Sequence, residues 1–185
     1  MSFSYKAYEV DIRRSSSEPP IQVNDTNELV AGLQQYYSGL DREVVLSVIL
    51  DDINRVLGIY EAAKGGITEV ALEFSNILRP AILMGGRKVI VVHNHPSGEN
   101  VASLADIQMA KGLFLTASLL DIELSDNLVL TDGAWSSIHE EPEFVRWLTE
   151  DLIKISAFMS GGVVTQEQID AAEQLKEELR AKEAV

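Results

Sequence analysis

The stretch Val89-Ile90-Val91-Val92-His93-Asn94-His95-Pro96-Ser97-Gly98-Glu99-Asn100-Val101-Ala102-Ser103-Leu104-Ala105-Asp106 decides how the chain folds. Its first four residues are apolar and β-branched. A strand apolar on both faces is buried on both, so this run predicts a central strand rather than an edge strand. Asn94 to Ala102 is polar and carries Pro96 and Gly98, which predicts a loop. Ser103 can cap a helix that runs to about Leu120.

His93 and His95 end the predicted strand. On a helix, side chains at i and i+2 diverge by about 200°, but on a strand both project from one sheet face. Pro96 biases His95 toward extended backbone, so two imidazoles can converge on one ion. Asp106 lies in the first turn of the following helix, whose positive end favours an ionised carboxylate. A His, His, Asp set supplies three N/O ligands and leaves a fourth tetrahedral position open, the pattern of a catalytic zinc site rather than a closed structural one. Hydrolysis also needs a proton acceptor near the water, and Glu43 opens another predicted strand of the same sheet.

Outward from this segment, Glu43 to Leu50 and Arg55 to Tyr60 are apolar runs around Asp51-Asp52-Ile53-Asn54, which predicts a hairpin. Residues 1–25 read as an arm: residues 5–12 alternate loosely as a strand does, and Ser15-Ser16-Ser17-Glu18-Pro19-Pro20 breaks it into a flexible connector. Asn24 or Asp25 can cap a helix through about Tyr37, with Leu29, Val30, Leu33 and Tyr37 at helical spacing and Gly39 ending it. A helix is predicted near 70–84, closed by Gly85-Gly86, with Pro80 a kink or a sign of an earlier start. Short strands are predicted near 121–124 and 127–131. From 140 to 185 the chain has eleven acids and five bases and reads as two helices separated by Ser160-Gly161-Gly162. The second has the capping pattern Thr165-x-x-Gln168 and a stripe of Ile169, Ala172, Leu175 and Leu179 that suits packing or dimerisation.

The 185 residues suit one domain, and 46% hydrophobic with 24% charged residues is globular composition. With no cysteine, disulfides, thiol nucleophiles, iron–sulfur clusters and Cys-based zinc sites are excluded, so any metal must use His, Asp or Glu. Lys plus Arg total 15 against 29 for Asp plus Glu, a net charge of −14. That balance disfavours nucleic acid and anionic membranes, and no basic run exceeds Arg13-Arg14 or Arg87-Lys88. The N-terminus lacks the pattern of a secretory signal and no apolar run approaches the roughly 18 residues of a membrane span, so a cytoplasmic location is expected.

Glu43, His93-x-His95-Pro96 and Ser103-x-x-Asp106 together resemble the JAB/MPN (JAMM) metalloprotease motif. The chain most resembles its RadC-like branch, whose E-x-F-x-x-x-x-L-D-x-x-N corresponds to Glu43-Val44-Val45 through Leu50-Asp51-Asp52-Ile53-Asn54, and whose H-N-H-P-S-G is His93-Asn94-His95-Pro96-Ser97-Gly98. The resemblance covers roughly residues 42–138. It implies an α/β domain over 41–141, with a mixed sheet flanked by helices, between an N-terminal arm and helix over 1–40 and an acidic helical extension over 142–185. It also implies Zn²⁺ on His93, His95 and Asp106, with Glu43 as general acid/base. Ser103 would help hold the oxyanion, although its hydroxyl is also a natural helix cap. The implied activity is zinc-dependent hydrolysis of an amide bond by a metallopeptidase or isopeptidase. The substrate would be a protein or peptide, with a ubiquitin-like tail as one family-level candidate.

Three features depart from the branch. Glu73-Phe74-Ser75 stands where it usually has a His-Pro pair and an Arg, Asp126-Asn127 stands for its D-H pair, and no counterpart of its helix-hairpin-helix region is expected here. Two rival functions are a RadC-type accessory of DNA repair or processing, and a metal-binding interaction module without turnover, its terminal helices holding a partner. A nuclease of the HNH type does not fit, since its three residues are dispersed, and a zinc deaminase needs cysteine ligands. His139, in an acidic run outside the motif, is expected at the surface.

Overall fold

In the computed structural model, which describes residues 21–65 and 73–151 together with Gln166 and Asp170, Val89 to Val92 lie in the middle strand of a five-stranded sheet. The elements in chain order are α1 (Thr26–Tyr37), β1 (Val44–Leu50), β2 (Val56–Lys64), α2 (Phe74–Met84), β3 (Lys88–Asn94), α3 (Leu104–Ser118), β4 (Glu123–Thr131), β5 (Ala134–Ser137), a 3-10 turn (Ile138–Glu140) and α4 (Pro142–Glu150). The fold is α/β, with strand order β2-β1-β3-β4-β5. Only the β3–β4 pair is parallel, and α3 makes the crossover between its strands.

Alternation along the strands divides the core in two. Val44, Leu46 and Val48 of β1 and Ile90 and Val92 of β3 face α1, which covers them with Leu29, Val30, Leu33 and Tyr37. Val45, Ile49, Val89 and Val91 face the other way, against Ile77 and Leu78 of α2 and Leu113 of α3. Tyr37 also donates its hydroxyl to the Val92 carbonyl at 2.8 Å, tying the end of α1 to β3 just before the two histidines.

The predicted hairpin forms, and its turn chemistry explains its register. Asp51 Oδ1 accepts from the N–H groups of Ile53 and Arg55, and Asn54 takes the left-handed backbone, φ 62°, that such a turn requires. The end of the predicted connector is engaged rather than free. Gln22 bridges Arg55, and the N–H of Val56 donates to the carbonyl of Ile21 at 2.8 Å. Asp25 caps α1, as expected, and Gly85 ends α2 in left-handed conformation. α2 begins at Phe74 and runs through Pro80. Residues 1–20, 66–72 and, apart from Gln166 and Asp170, the second predicted C-terminal helix lie outside the described residues. Among the described residues no helix is long and apolar enough to cross a membrane.

Two expectations are corrected. Residues 123–131 form one strand, not two short ones, because the polar interruption at Ser125-Asp126 is a bulge: Val89 pairs with Leu124 and Ile90 with Asp126. The Asp126 carboxylate accepts from Ser137 Oγ and the Asn127 N–H, both at 2.7 Å, so the strand tolerates it. His139 is not a surface residue. Its ring stacks on Phe144 at 4.5 Å and 9°, half-buried under α4.

These two groups pull stability in opposite directions as pH changes. Burial pushes the Asp126 carboxyl up to about 6, so its contribution to folding is present below its unfolded value of ~4 and is lost as pH rises through 6. Burial pushes the His139 imidazole down to about 4, so folding favours its neutral form and gains as pH rises from 4 toward ~6.5. Asp126→Asn, which keeps an oxygen for Ser137 and Asn127, removes the first effect. Relative to wild type, its unfolding free energy should grow between pH 4 and 7 by on the order of 2 kcal/mol. Urea titrations across that range measure it, and a constant difference would contradict the assignment.

Candidate metal centre

The end of β3 places the first histidine. Its odd-numbered residues face α2 and α3, so His93 follows Val89 and Val91 to that side and is fully buried. His95 is one residue past the strand, with its N–H donating to the Leu130 carbonyl of β4 at 2.9 Å. Beyond Pro96 the chain reverses: Gly98, at φ 84°, donates its N–H to the His95 carbonyl. The reversal brings the Glu99 carbonyl to 2.8 Å from His95 Nδ1. A carbonyl can only accept, so Nδ1 carries the proton and Nε2 is left to turn inward.

The third group comes from α3. Ser103 caps the helix in a reciprocal pattern. Its hydroxyl accepts from the Asp106 N–H at 3.2 Å, while its own N–H donates to Asp106 Oδ2 at 2.7 Å. The Ser103 hydroxyl also donates to Asp106 Oδ2 at 2.6 Å. These bonds turn the carboxylate back from the helix toward the strand.

The three side chains meet. His93 Nε2 and His95 Nε2 are 3.1 Å apart, His93 Nε2 is 3.4 Å from Asp106 Oδ1, and His95 Nε2 is 3.4 Å from Asp106 Oδ2. A tetrahedral ion with bonds of about 2.0–2.1 Å has ligand–ligand edges of about 3.3–3.4 Å, so the separations fit one metal ion. The donor chemistry also fits. Two imidazole nitrogens facing each other beside a carboxylate require a proton or a cation between them, and these are the ligand types of a borderline divalent metal. Among the described residues this is the group of His and carboxylate ligands that can hold a metal.

Burial opposes the ionisation of Asp106, yet its contacts with His93, His95 and Ser103 outweigh it and hold the carboxyl well below the usual carboxylate range. For His95 the hydrogen bond with Asp106 acts first, against burial; the Glu99 carbonyl and the charges of Asp106 and Glu43 add to it, and its pKa is raised. Glu43 is therefore within electrostatic reach of the cluster. It is half-buried just before β1, and the β1–β3 register, which ends at Val45 opposite His93, places it across from His95 when continued by two residues.

His93, His95 and Asp106 thus come together at one end of the sheet with Ser103 bonded to Asp106, and Glu43 lies at the same end, just before β1. What the motif did not name are the groups that orient them. The Glu99 carbonyl was foreshadowed by Pro96 and Gly98, since a turn there must fold residue 99 back. The Asn94 side chain, on the opposite face from His93, had only the weaker signal of a polar residue continuing the apolar face of Ile90 and Val92.

A sequence model of the RadC-like JAB domain matches residues 23–143. Among similar proteins are the UPF0758 protein of Chloroflexus aggregans, 33% identical over 129 residues, and that of Trichodesmium erythraeum, 33% identical over 136 residues. These alignments cover 70% and 72% of this chain and 56% of each relative. A UPF0758 protein of Trichormus variabilis is 37% identical over 111 residues, 60% of this chain and 46% of its own. The chain spans about half the length of the curated relatives it matches.

Ser103→Ala should remove the hydroxyl's two bonds but leave the main-chain N–H on Asp106. We expect a loss of about 1 kcal/mol in the unfolding free energy of the metal-free protein, the usual effect of deleting such a cap. Urea denaturation checks it, and unchanged stability would show that the hydroxyl does not hold the helix start.

Proposed function

The chain belongs to the RadC-like JAB domain family, and from that premise we propose that it is a zinc-dependent metallopeptidase or isopeptidase that hydrolyses an amide bond in a protein or peptide. The observation that carries this reading is the convergence of His93, His95 and Asp106 at the end of the sheet, where Glu43 lies just before the paired start of β1. His93, His95 and Asp106 would hold the ion and leave one position open. When bound, zinc supplies a water whose pKa is brought toward ~7 and a Lewis acid for the carbonyl oxygen.

The chain's own groups do the rest. Glu43 takes the proton of the attacking water and hands it to the leaving amine, a task for a half-buried carboxylate within reach of the centre. The Glu99 carbonyl keeps His95 in the tautomer that presents Nε2. Ser103 donates toward the oxyanion of the tetrahedral intermediate. Its one hydrogen now lies on Asp106 Oδ2, so that role requires the hydroxyl to turn.

A polypeptide substrate suits the charge of the chain better than DNA does. The net charge is −14, and Arg42, Arg55, Lys88 and Lys111 each lie within 4.0 Å of an acidic oxygen, which leaves them poorly placed to bind phosphates.

Purified protein reconstituted with zinc should hold about one ion per chain, and His93→Ala or His95→Ala should abolish that binding. Metal analysis after dialysis reads the result; retention of zinc by both variants would end the proposal. Glu43→Gln should keep the ion and lower hydrolysis of a responsive peptide or isopeptide substrate by about 10²–10⁴-fold. Wild-type turnover in that variant would remove Glu43 from the chemistry.

A further inference from the structure

The rung of the sheet next to the metal centre is made by a side chain. In the β1–β3 ladder the last main-chain pair is Val45 with His93. Two residues further on, past the last β1 pair, His95 continues the bonding to β4 by donating its N–H to Leu130. The gap toward β1 is closed by Asn94. Its Oδ1 accepts from the Val44 N–H at 2.7 Å and its Nδ2 donates to the Arg42 carbonyl at 3.1 Å.

Those two main-chain groups belong to the two peptide planes that flank the Cα of Glu43. Holding both fixes the φ and ψ of Glu43 and hence the direction in which its side chain leaves the strand end. The Glu43 carbonyl is held as well, by the Gly65 N–H at 2.9 Å. A carboxamide is suited to the task because one planar group offers a donor and an acceptor together. Asn94 is only 4% exposed, so water does not readily replace these bonds. The residues just before Glu43, by contrast, are exposed, and Asp41 and Arg42 pair with each other in solvent.

We propose that Asn94 is a positioning residue that holds the Glu43 carboxylate against the His93, His95 and Asp106 centre. This inference rests on the reading of Glu43 as the acid/base of a metal site. Asn94 lies between the two imidazoles in the chain and projects to the opposite face, so one tripeptide would both hold the ion and place the base beside it.

The test uses the full chain loaded with cobalt(II), following the pH at which its visible spectrum changes in wild type, Glu43→Gln, Asn94→Ala and the double variant. Cobalt should remain at one ion per chain throughout. Glu43→Gln should shift the midpoint, Asn94→Ala should shift it in the same direction by at least about half as much, and the double variant should go no further than Glu43→Gln alone. Asn94→Asp keeps the acceptor for Val44 and loses the donor to Arg42; it should fall between wild type and Asn94→Ala, and it carries the test if the alanine variant does not fold. A midpoint unchanged by the Asn94 substitutions, or a shift that adds to that of Glu43→Gln, would overturn the positioning role while leaving Glu43 its own. No cobalt binding, or a Glu43→Gln midpoint equal to wild type, would overturn the underlying reading of the site, and the positioning role with it.

Discussion

The period-two alternation of β3 is the constraint on which the site depends. Because β3 is central, its side chains on both faces must match something: Ile90 and Val92 meet α1, while Val89 and Val91 meet α2 and α3. A register slip of one residue would exchange the two faces and expose each helix to the wrong side chains. The large buried area on both faces therefore fixes where the strand ends. Its last two residues inherit that register, with His93 directed to the α3 face and Asn94 to the other. Apolar packing several residues away thus sets the direction of the polar groups.

A second element reaches the same place through a different force. The start of α3 must satisfy N–H groups that have no partner within the helix, and Ser103 and Asp106 do so reciprocally. In an ordinary capping box the acidic side chain is exposed. Here Asp106 is buried against two imidazoles, and its hydrogen bonds with Ser103 stabilise the ionised form that a metal ligand needs. With neutral imidazoles the buried cluster carries one negative charge, which a divalent cation would reverse. Helix initiation and preparation of the ligand are one interaction, so a change that weakens the cap also loosens the carboxylate.

Much of this was legible in the sequence, for reasons specific to each part. The apolar run at Val89–Val92 has one sensible placement, and Ser103 with Asp106 is a recognisable helix start, so β3, α3 and the meeting of His93, His95 and Asp106 follow from local rules. Asp51 to Asn54 likewise carries its own turn chemistry. What stayed hidden depends on partners distant in the chain. Ser125-Asp126 looks like a break until Ser137, eleven residues beyond Asp126, supplies the hydroxyl that lets one strand continue through a bulge. β5 is only four residues long and carries little periodicity to read. His139 is followed by Glu140 and Glu141, and its burial comes from α4 folding back to stack Phe144 on it. Residues 21–23 have no strand pattern of their own; their pairing is imposed by the start of β2.

The departures from the branch pattern fall where packing, rather than the metal, is the controlling demand. Phe74, in the stretch Glu73-Phe74-Ser75, lies so close to Gly112 of α3 that a Cβ there would come within 2.8 Å of its ring. The start of α2 is thus used to seat one helix on another, and a long basic side chain in place of Phe74 would forfeit that contact. Asn127, in the Asp126-Asn127 pair, is fully buried and places its Nδ2 3.4 Å from His139 Nε2, in a layer closed by Phe144. Neither substitution touches His93, His95, Asp106 or the two bonds from Asn94. The centre depends on β1, β3 and the first turn of α3, whereas the departures lie at the start of α2 and on β4. The metal-capable cluster and the positions that depart from the branch pattern are therefore built from separable parts of the fold, and one can change while the geometry of the other is kept.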